Sequence, residues 1–280
     1  MYYICNEKQV FTFVNTCAFE KHKQLPMKYQ HDFTVVDNER QTHDFVVLTL
    51  QASQMLPEIL PGQFAEVLAP HPQAYLRRPL SIHDVDYEKK QIKLLIQEVG
   101  KGTESLTKLE IGNKVNMIYP LGKGYDLPDS KQVLLVGGGC GVAPLLYLGR
   151  YLKKNGITPR FLIGTRTKSA LVRLDAYREL GDVMVTTEDG SYGTKGFVIN
   201  HPVMRTQQPD FDWIYTCGPE AMMRILAKYA KNHHLTCQVS LENHMACGIG
   251  ACLCCVTNTR DGHKCTCTDG PVFDSKYLQW

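Results

Sequence analysis

The sequence predicts a β barrel plus an α/β unit: a six-stranded antiparallel barrel, then a parallel sheet with helices, then a small C-terminal module. Three observations lead there. Short apolar runs separated by turns fill residues 27–127, apolar runs alternate with helix-length segments from 128 to 240, and six of the 11 cysteines fall within residues 247–267. With 280 residues, 44% hydrophobic and 21% charged, the chain is long enough for two cores, and its composition excludes disorder and fibrous architecture. A net charge of +3, from 31 basic and 28 acidic residues scattered along the chain, leaves no electrostatic footprint for nucleic acid or a membrane surface. Neither is expected as a partner.

Residues 1–26 show no clear period, since Asn15 and Thr16 interrupt their one apolar stretch, and are read as an N-terminal extension without the pattern of a signal peptide. Met27 opens the better-formed segment MKYQHDFTVV and is a second candidate start of translation. Finding the intact N-terminus in native protein by mass spectrometry would overturn that expectation. The barrel strands are expected at residues 33–36, 45–50, 64–68, 80–85, 92–99 and 114–119. The α/β strands are expected at 133–136, 161–163, 183–187 and 213–216, with helices at 142–154 and 220–232. The longest uncharged apolar stretch, 133–149, holds three consecutive glycines and Pro144, so it reads as strand, turn and helix start and not as a membrane span.

The cysteine cluster carries the most specific chemistry. Cys247, Cys252 and Cys255 have the spacing C-x4-C-x2-C, with Cys265 and Cys267 beyond them, and this is the plant-type spacing for a 2Fe-2S cluster. Such a cluster needs four thiolates, two per iron, and a loop whose amides can approach the sulfides. The GIGA segment at 248–251 is small enough to allow it. Structural zinc is the competing reading, but zinc sites usually pair two short C-x(2–4)-C knuckles. Two of the six thiols are spare: Cys254 adjoins Cys255 and points away from it, and spacing alone leaves the fourth ligand open between Cys265 and Cys267. Clustered thiols in a long chain suit a reducing compartment, so a cytoplasmic location is expected.

The apolar run at 133–136 passes straight into GGGCGVAP at 137–144. Strand, glycine turn and helix start set a pyrophosphate on free helix amides, which makes Gly138, Gly139 and Gly141 candidate dinucleotide contacts; a tight connection without ligand is the alternative. The next strand ends at Gly164-Thr165-Arg166 without an acidic residue for an adenosine 2'-hydroxyl, which leaves NAD and NADP both open. Cys217, Gly218 and Pro219 follow a further parallel strand, so they should face the ligand crevice and line a nicotinamide pocket, a buried structural Cys217 being the alternative. In the barrel, Arg78 with Ser81 three residues on can hold one phosphate, and the Gly102-Thr103 turn can offer amides to another.

RPLS at 78–81, GKGT at 100–103, GGGCGVAP at 137–144 and CGPEAM at 217–222 together resemble the ferredoxin-NADP reductase superfamily, in the order that superfamily uses. SLENHMACGIGACLCC, followed by CTDGPVF, resembles more narrowly the electron-transfer subunits of the NAD-dependent, two-subunit dihydroorotate dehydrogenases of bacteria. The resemblance covers residues 27–280. It implies a flavin-binding barrel domain at 27–127, a nicotinamide-binding α/β domain at 128–240 and a 2Fe-2S module at 241–280. It places FAD at Arg78, Pro79, Leu80, Ser81, Ile96, Gln97, Glu98, Gly102 and Thr103. In that family the last ligand directly precedes x-D-G-P-V-F, which selects Cys267 and gives Cys247, Cys252, Cys255 and Cys267 as the ligand set. The short gap before Cys267, the extra Cys254 and Cys265, and the N-terminal extension depart from the pattern.

The resemblance further implies a function in de novo pyrimidine (UMP) biosynthesis. A separate FMN-containing catalytic subunit oxidises dihydroorotate, and its electrons cross the cluster and FAD to NAD in this chain, the two subunits forming a heterotetramer with the partner docked over the cluster module. No residue of this chain is then expected to do acid/base chemistry on orotate. The alternatives are the related subunit of a ferredoxin-NADP oxidoreductase or a sulfide dehydrogenase, and a non-enzymatic zinc-binding protein on a reductase-like scaffold. The last would lack flavin and iron-sulfur colour.

Overall fold

Strands β1 (Tyr29–Arg40), β2 (Phe45–Ala52), β3 (Phe64–Val67), β4 (Arg78–Asp86), β5 (Gln91–Gln97) and β6 (Lys114–Leu121) close into a barrel in the order β1-β2-β5-β4-β3-β6, every neighbour antiparallel, in a computed structural model that describes residues 27–280. The N-terminal extension read at 1–26 lies outside the described residues. Alternation fills the barrel: Phe33 and Val35 of β1, Ala65 and Val67 of β3, and Val115 and Met117 of β6 share one buried core. β2 is apolar on both faces because both are covered. Leu48 and Leu50 point inward, while Phe45 and Val47, with Leu95 of β5, pack against the second unit. Each such burial contributes roughly 1.5–3 kcal/mol. Between β5 and β6 the chain makes one short helix, α1 (Lys101–Thr107).

The second unit is a seven-stranded sheet in the order β10-β9-β8-β7-β11-β12-β15. Its strands are β7 (Val133–Gly138), β8 (Arg160–Thr165), β9 (Asp182–Thr187), β10 (Thr194–Lys195), β11 (Trp213–Cys217) and β12 (Thr236–Ser240), all parallel, and β15 (Val272–Asp274), antiparallel on β12. The strand order reverses at β7, with β8 on one side and β11 on the other, and a ligand crevice opens outside the carboxyl ends at such a reversal. The glycines after β7 make a 3-10 turn, Gly139–Val142, that leads into α2 (Ala143–Lys154). Pro144 fits its first turn, where no amide donor is needed, and Lys153 and Lys154 complement its carboxyl end. α3 (Leu174–Arg178) and α4 (Glu220–Asn232) follow β8 and β11. No helix among the described residues is long and apolar enough to cross a membrane.

The C-terminal segment adds the hairpin β13 (Val256–Thr259) and β14 (Gly262–Cys265) before β15. A segment this short cannot bury a core alone, so it borrows two. β15 lies on the α/β sheet with Phe273 opposite Val239, and Cys255 and Cys267 pack on Phe64 and Leu121 of the barrel.

The barrel meets α2 through β4. His83 is fully buried and donates from Nδ1 to the Ala143 carbonyl at 2.7 Å, the Tyr147 hydroxyl donates to the Ile59 carbonyl at 2.8 Å, and Arg150 pairs with Asp84 at 3.1 Å. Burial above all, helped by Arg173, Lys93 and Arg150 and opposed by the Ala143 carbonyl, pushes His83 down to about 3. An unfolded histidine titrates near about 6.5, so below that pH the unfolded chain takes up a proton that the folded chain refuses. Stability is therefore lost from this group as pH falls from about 6.5 to about 3, at up to about 1.4 kcal/mol per pH unit. His83→Gln, a neutral donor to the same carbonyl, should show a shallower decline over that window in urea unfolding. Equal slopes would mean that His83 is not held neutral.

Candidate functional site

β3 and β4 put Arg78, Pro79, Leu80 and Ser81 on one half-buried strip, opposite Val67, Glu66, Ala65 and Phe64. The two adjacent arginines do different things. Arg77 donates to the carbonyls of Glu66 (3.3 Å) and Asn116 (3.1 Å) and to Asn116 Oδ1 (2.6 Å), which ties the strands together. Arg78 reaches α1, where a Cβ on Gly102 would stand 2.5 Å from its Nε, so the guanidinium lies directly on that glycine. The fold thus joins the two barrel motifs. Thr103 Oγ1 accepts from the amides of Val99 (3.0 Å) and Gly100 (3.2 Å), which shapes the turn before α1. Ile96 is sunk in the barrel core, so only its backbone can meet a ligand. Gln97 is half-buried at the end of β5, and the Glu98 carboxylate accepts from Thr107 and Arg40, each at 2.6 Å, which hold it below the usual carboxylate range.

At the crevice the glycine turn and the Cys217-Gly218-Pro219 turn meet backbone to backbone, Gly137 being the register partner of Cys217. A Cβ on Gly141 would stand 2.2 Å from the Cys217 carbonyl oxygen, and one on Gly138 would stand 2.8 Å from Pro219 Cδ and from Met222 Sδ. Gly139 differs, with φ 55° and open space where a Cβ would be. Cys217 is sealed from solvent, and its Sγ donates to Glu242 Oε1 at 3.5 Å. Burial, then the Glu242 charge, hold it well above the usual thiol range, and the same two causes push neighbouring Cys140 up to about 12. Both are neutral thiols. A cavity of about 340 Å³ runs from Gly218 and Pro219 past Arg224 and Glu242 to Thr257 and Trp280. Just past β9, the amides of Glu188 and Asp189 bond the carbonyls of Thr165 (3.1 Å) and Arg166 (3.2 Å) at the end of β8, and the Asp189 carboxylate accepts from Ser191.

In the C-terminal module the hairpin closes the gap between Cys255 and Cys267. Val256 pairs with Cys265, the Thr266 amide donates to the Cys255 carbonyl at 3.0 Å, and the Cys267 amide donates to Cys255 Sγ at 3.4 Å. Gly248 (φ 66°) and Gly250 (φ 86°) turn the loop so that its amides face sulfur. Burial works against the Cys247 thiolate, but the amides of Ile249, Cys252 and Ala251 and the Cys252 thiol pull its pKa down to about 6. Cys267 is pushed up to about 12, by burial first and by its bond to Cys255 second. Cys247 stands with Cys252, and Cys255 stands with both Cys267 and Cys265, and among the described residues no three His, Cys, Asp or Glu side chains converge on one ion. Two sulfurs per iron, with amides aimed at them, is the donor set a 2Fe-2S cluster needs. Cys254 is exposed, and Cys265, half-buried, has its amide bonded to Asp269 Oδ2 at 3.0 Å.

Two carboxyl groups escaped the sequence reading. Glu242 sits just past β12 and is raised above the usual carboxylate range by burial. Glu66 is fully buried on β3, and a Cβ on Gly248 would stand 2.4 Å from its Cγ. Burial first and Cys247 second lift it to about 7, while Arg77 and Arg78 oppose them. The available signal was a charge inside the apolar strand FAEV.

Residues 242–279 match the family model described as the iron-sulfur cluster binding domain of dihydroorotate dehydrogenase B. Over 255 residues, spanning 88% of this chain and 96% of the relative, the chain is 38% identical to the dihydroorotate dehydrogenase B (NAD(+)) electron transfer subunit of Shouchella clausii (strain KSM-K16). The chain belongs to this family. The electron transfer subunit of Caldanaerobacter subterraneus subsp. tengcongensis is 35% identical over 251 residues, spanning 88% of this chain and 97% of the relative. Among solved structures, the NADH-dependent reduced ferredoxin-NADP oxidoreductase, described for flavin-based electron bifurcation, superposes with a TM-score of 0.80 at 29% identity over 89% of this chain and 90% of its own. The ferredoxin reductase of carbazole 1,9a-dioxygenase shares the fold, with a TM-score of 0.64 at 20% identity over 74% of this chain and 67% of its own. In this chain β3 is the shared strand, because one edge pairs with Arg78–Ser81 while Phe64 and Glu66 lie under the cysteine loop.

Proposed function

We propose that this chain carries electrons from the FMN of a dihydroorotate dehydrogenase catalytic subunit through a 2Fe-2S cluster and FAD to NAD, in pyrimidine biosynthesis. The observation that carries the reading is the contact of one strand, β3, with both the RPLS strand and the cysteine loop, in a chain of this family. When bound, the cluster supplies one-electron transfer, the nicotinamide takes a hydride, and the flavin serves both.

The chain's own residues place these groups. Cys247, Cys252, Cys255 and Cys267 hold the cluster, with the Ile249 amide directed at Cys247. Arg78, Pro79, Leu80 and Ser81, with Gly102, Thr103 and the backbone of Ile96, Gln97 and Glu98, hold FAD. Gly138, Gly139 and Gly141 with Cys217, Gly218 and Pro219 hold NAD, the open face at Gly139 admitting the pyrophosphate. The working division is 27–127 for flavin, 128–240 for nicotinamide and 241–280 for the cluster, although β15 belongs structurally to the sheet. The catalytic partner docks over the cysteine loop in a heterotetramer, and the clustered cysteines favour a cytoplasmic location for the assembly.

The test is anaerobic NADH formation from dihydroorotate and NAD by this chain reconstituted with the FMN-bearing catalytic subunit, omitting each component in turn. Activity that needs this chain is expected. Its absence, from a preparation that holds flavin and cluster, would favour a subunit of the ferredoxin-NADP oxidoreductase type, the reading to which the TM-score of 0.80 lends weight.

A further inference from the structure

Glu66 is the charged residue of β3 that touches the cysteine loop. Its register partner across the sheet is Pro79 of the flavin motif, and its side chain is fully buried. A Cβ at position 248 would stand 2.4 Å from Glu66 Cγ and 2.8 Å from Oε1, so the loop settles on this carboxyl only because residue 248 is glycine, at φ 66°. Neither carboxyl oxygen has a hydrogen-bond partner. A sealed carboxyl with both oxygens unpaired is costly, and closing the barrel does not require it, since an apolar side chain would fill the same outward position beside Phe64. Burial and Cys247 outweigh the positive charge of Arg77 and Arg78 nearby, so the carboxyl is ionised only toward alkaline pH.

Resting on the assignment of the cluster to this loop, we propose that Glu66 is a positioning residue of the 2Fe-2S site, which seats Gly248 on the strand shared with the flavin motif and keeps the potential of the cluster low. With Glu66 ionised, as at alkaline pH, reduction of a cluster held there would be less favourable than beside a neutral group of the same shape, because water cannot screen the buried carboxylate. The electron is thereby more readily passed on.

The test uses the purified full chain with Glu66→Gln. Iron and flavin contents are measured, and the cluster's midpoint potential is followed by EPR at one fixed alkaline pH. The expected result is wild-type iron content with the cluster potential shifted upward, by more than that of the flavin. Full iron content with no shift overturns the proposal. Should Glu66→Gln lose iron, Glu66→Asp decides: iron retained in the aspartate variant supports a seat that needs the charge, and iron lost from both, where neither the same shape nor the same charge suffices, shows general disruption of the strand and overturns it. A wild-type chain that purifies without iron refutes the cluster assignment itself, and the proposal with it.

Discussion

Cys267→Ser is expected to abolish the 2Fe-2S absorbance and EPR signal and to reduce dihydroorotate-dependent NADH formation to that of a mixture lacking this chain, whereas Cys265→Ser keeps both. The two thiols are close in sequence, but the hairpin treats them differently. β14 ends at Cys265, opposite Val256; the chain then turns through Thr266, whose amide bonds the Cys255 carbonyl, and brings Cys267 to 1% exposure against Phe64, Leu121 and Cys255. Cys265 also lies beside Cys255 but is the more accessible of the two thiols. Serine is nearly the same size as cysteine, so neither change disturbs the packing much, but a hydroxyl does not replace a soft thiolate toward iron. Flavin content should be unchanged in both variants, because the residues proposed to hold FAD lie in the barrel domain. The reverse outcome, cluster lost with Cys265→Ser and kept with Cys267→Ser, would require the fourth ligand to be reassigned.

Much of this arrangement was legible because local chemistry and tertiary role coincide. The barrel strands announce themselves through runs such as FVVLTL, whose continuous apolar character reports that both faces of β2 are covered. The glycine turn was legible for a similar reason: Gly138 and Gly141 lack side chains because another stretch of backbone occupies the space, and that need shows in composition. Features fixed by distant partners were not legible. β15 is three residues with no period to detect, and it is a strand only because β12 offers it an edge. Arg77 and Arg78 are indistinguishable in sequence, yet Arg77 spends its donors on Asn116 and Glu66 while Arg78 reaches Gly102. Cys217 was expected at a nicotinamide pocket from its place at a strand end, and its burial beside Glu242 depends on where the chain goes after β12. Glu66 and Glu242 belong to the same class, since neither sits in a motif and each acquires its shifted titration from what folds over it.

Gly141→Ala is expected to abolish NADH-dependent reduction of the bound flavin and to lower folding stability by about 1–3 kcal/mol, the usual cost of overpacking. The added methyl would stand 2.2 Å from the Cys217 carbonyl oxygen, 2.3 Å from the Cys217 carbonyl carbon and 2.4 Å from the Gly218 nitrogen. All three are backbone atoms, so no side-chain rotation relieves the collision, and the turn must part from the end of β11. That parting opens the crevice at the reversal of strand order, the proposed seat of the dinucleotide. Gly139→Ala separates the two causes of loss. Nothing lies within 4 Å of a Cβ there, so the protein tolerates it at a backbone cost of about 1–2 kcal/mol for the left-handed φ of 55°, while the methyl intrudes on the open face proposed for the pyrophosphate. Its KM for NADH with an artificial acceptor should rise with little change in kcat, and FAD and iron contents should match wild type. Gly141→Ala should instead lower the urea midpoint as well as activity. A Gly141→Ala protein with the wild-type midpoint would show that the two turns are not packed against each other, and the dinucleotide site would then have to be sought away from β7 and β11.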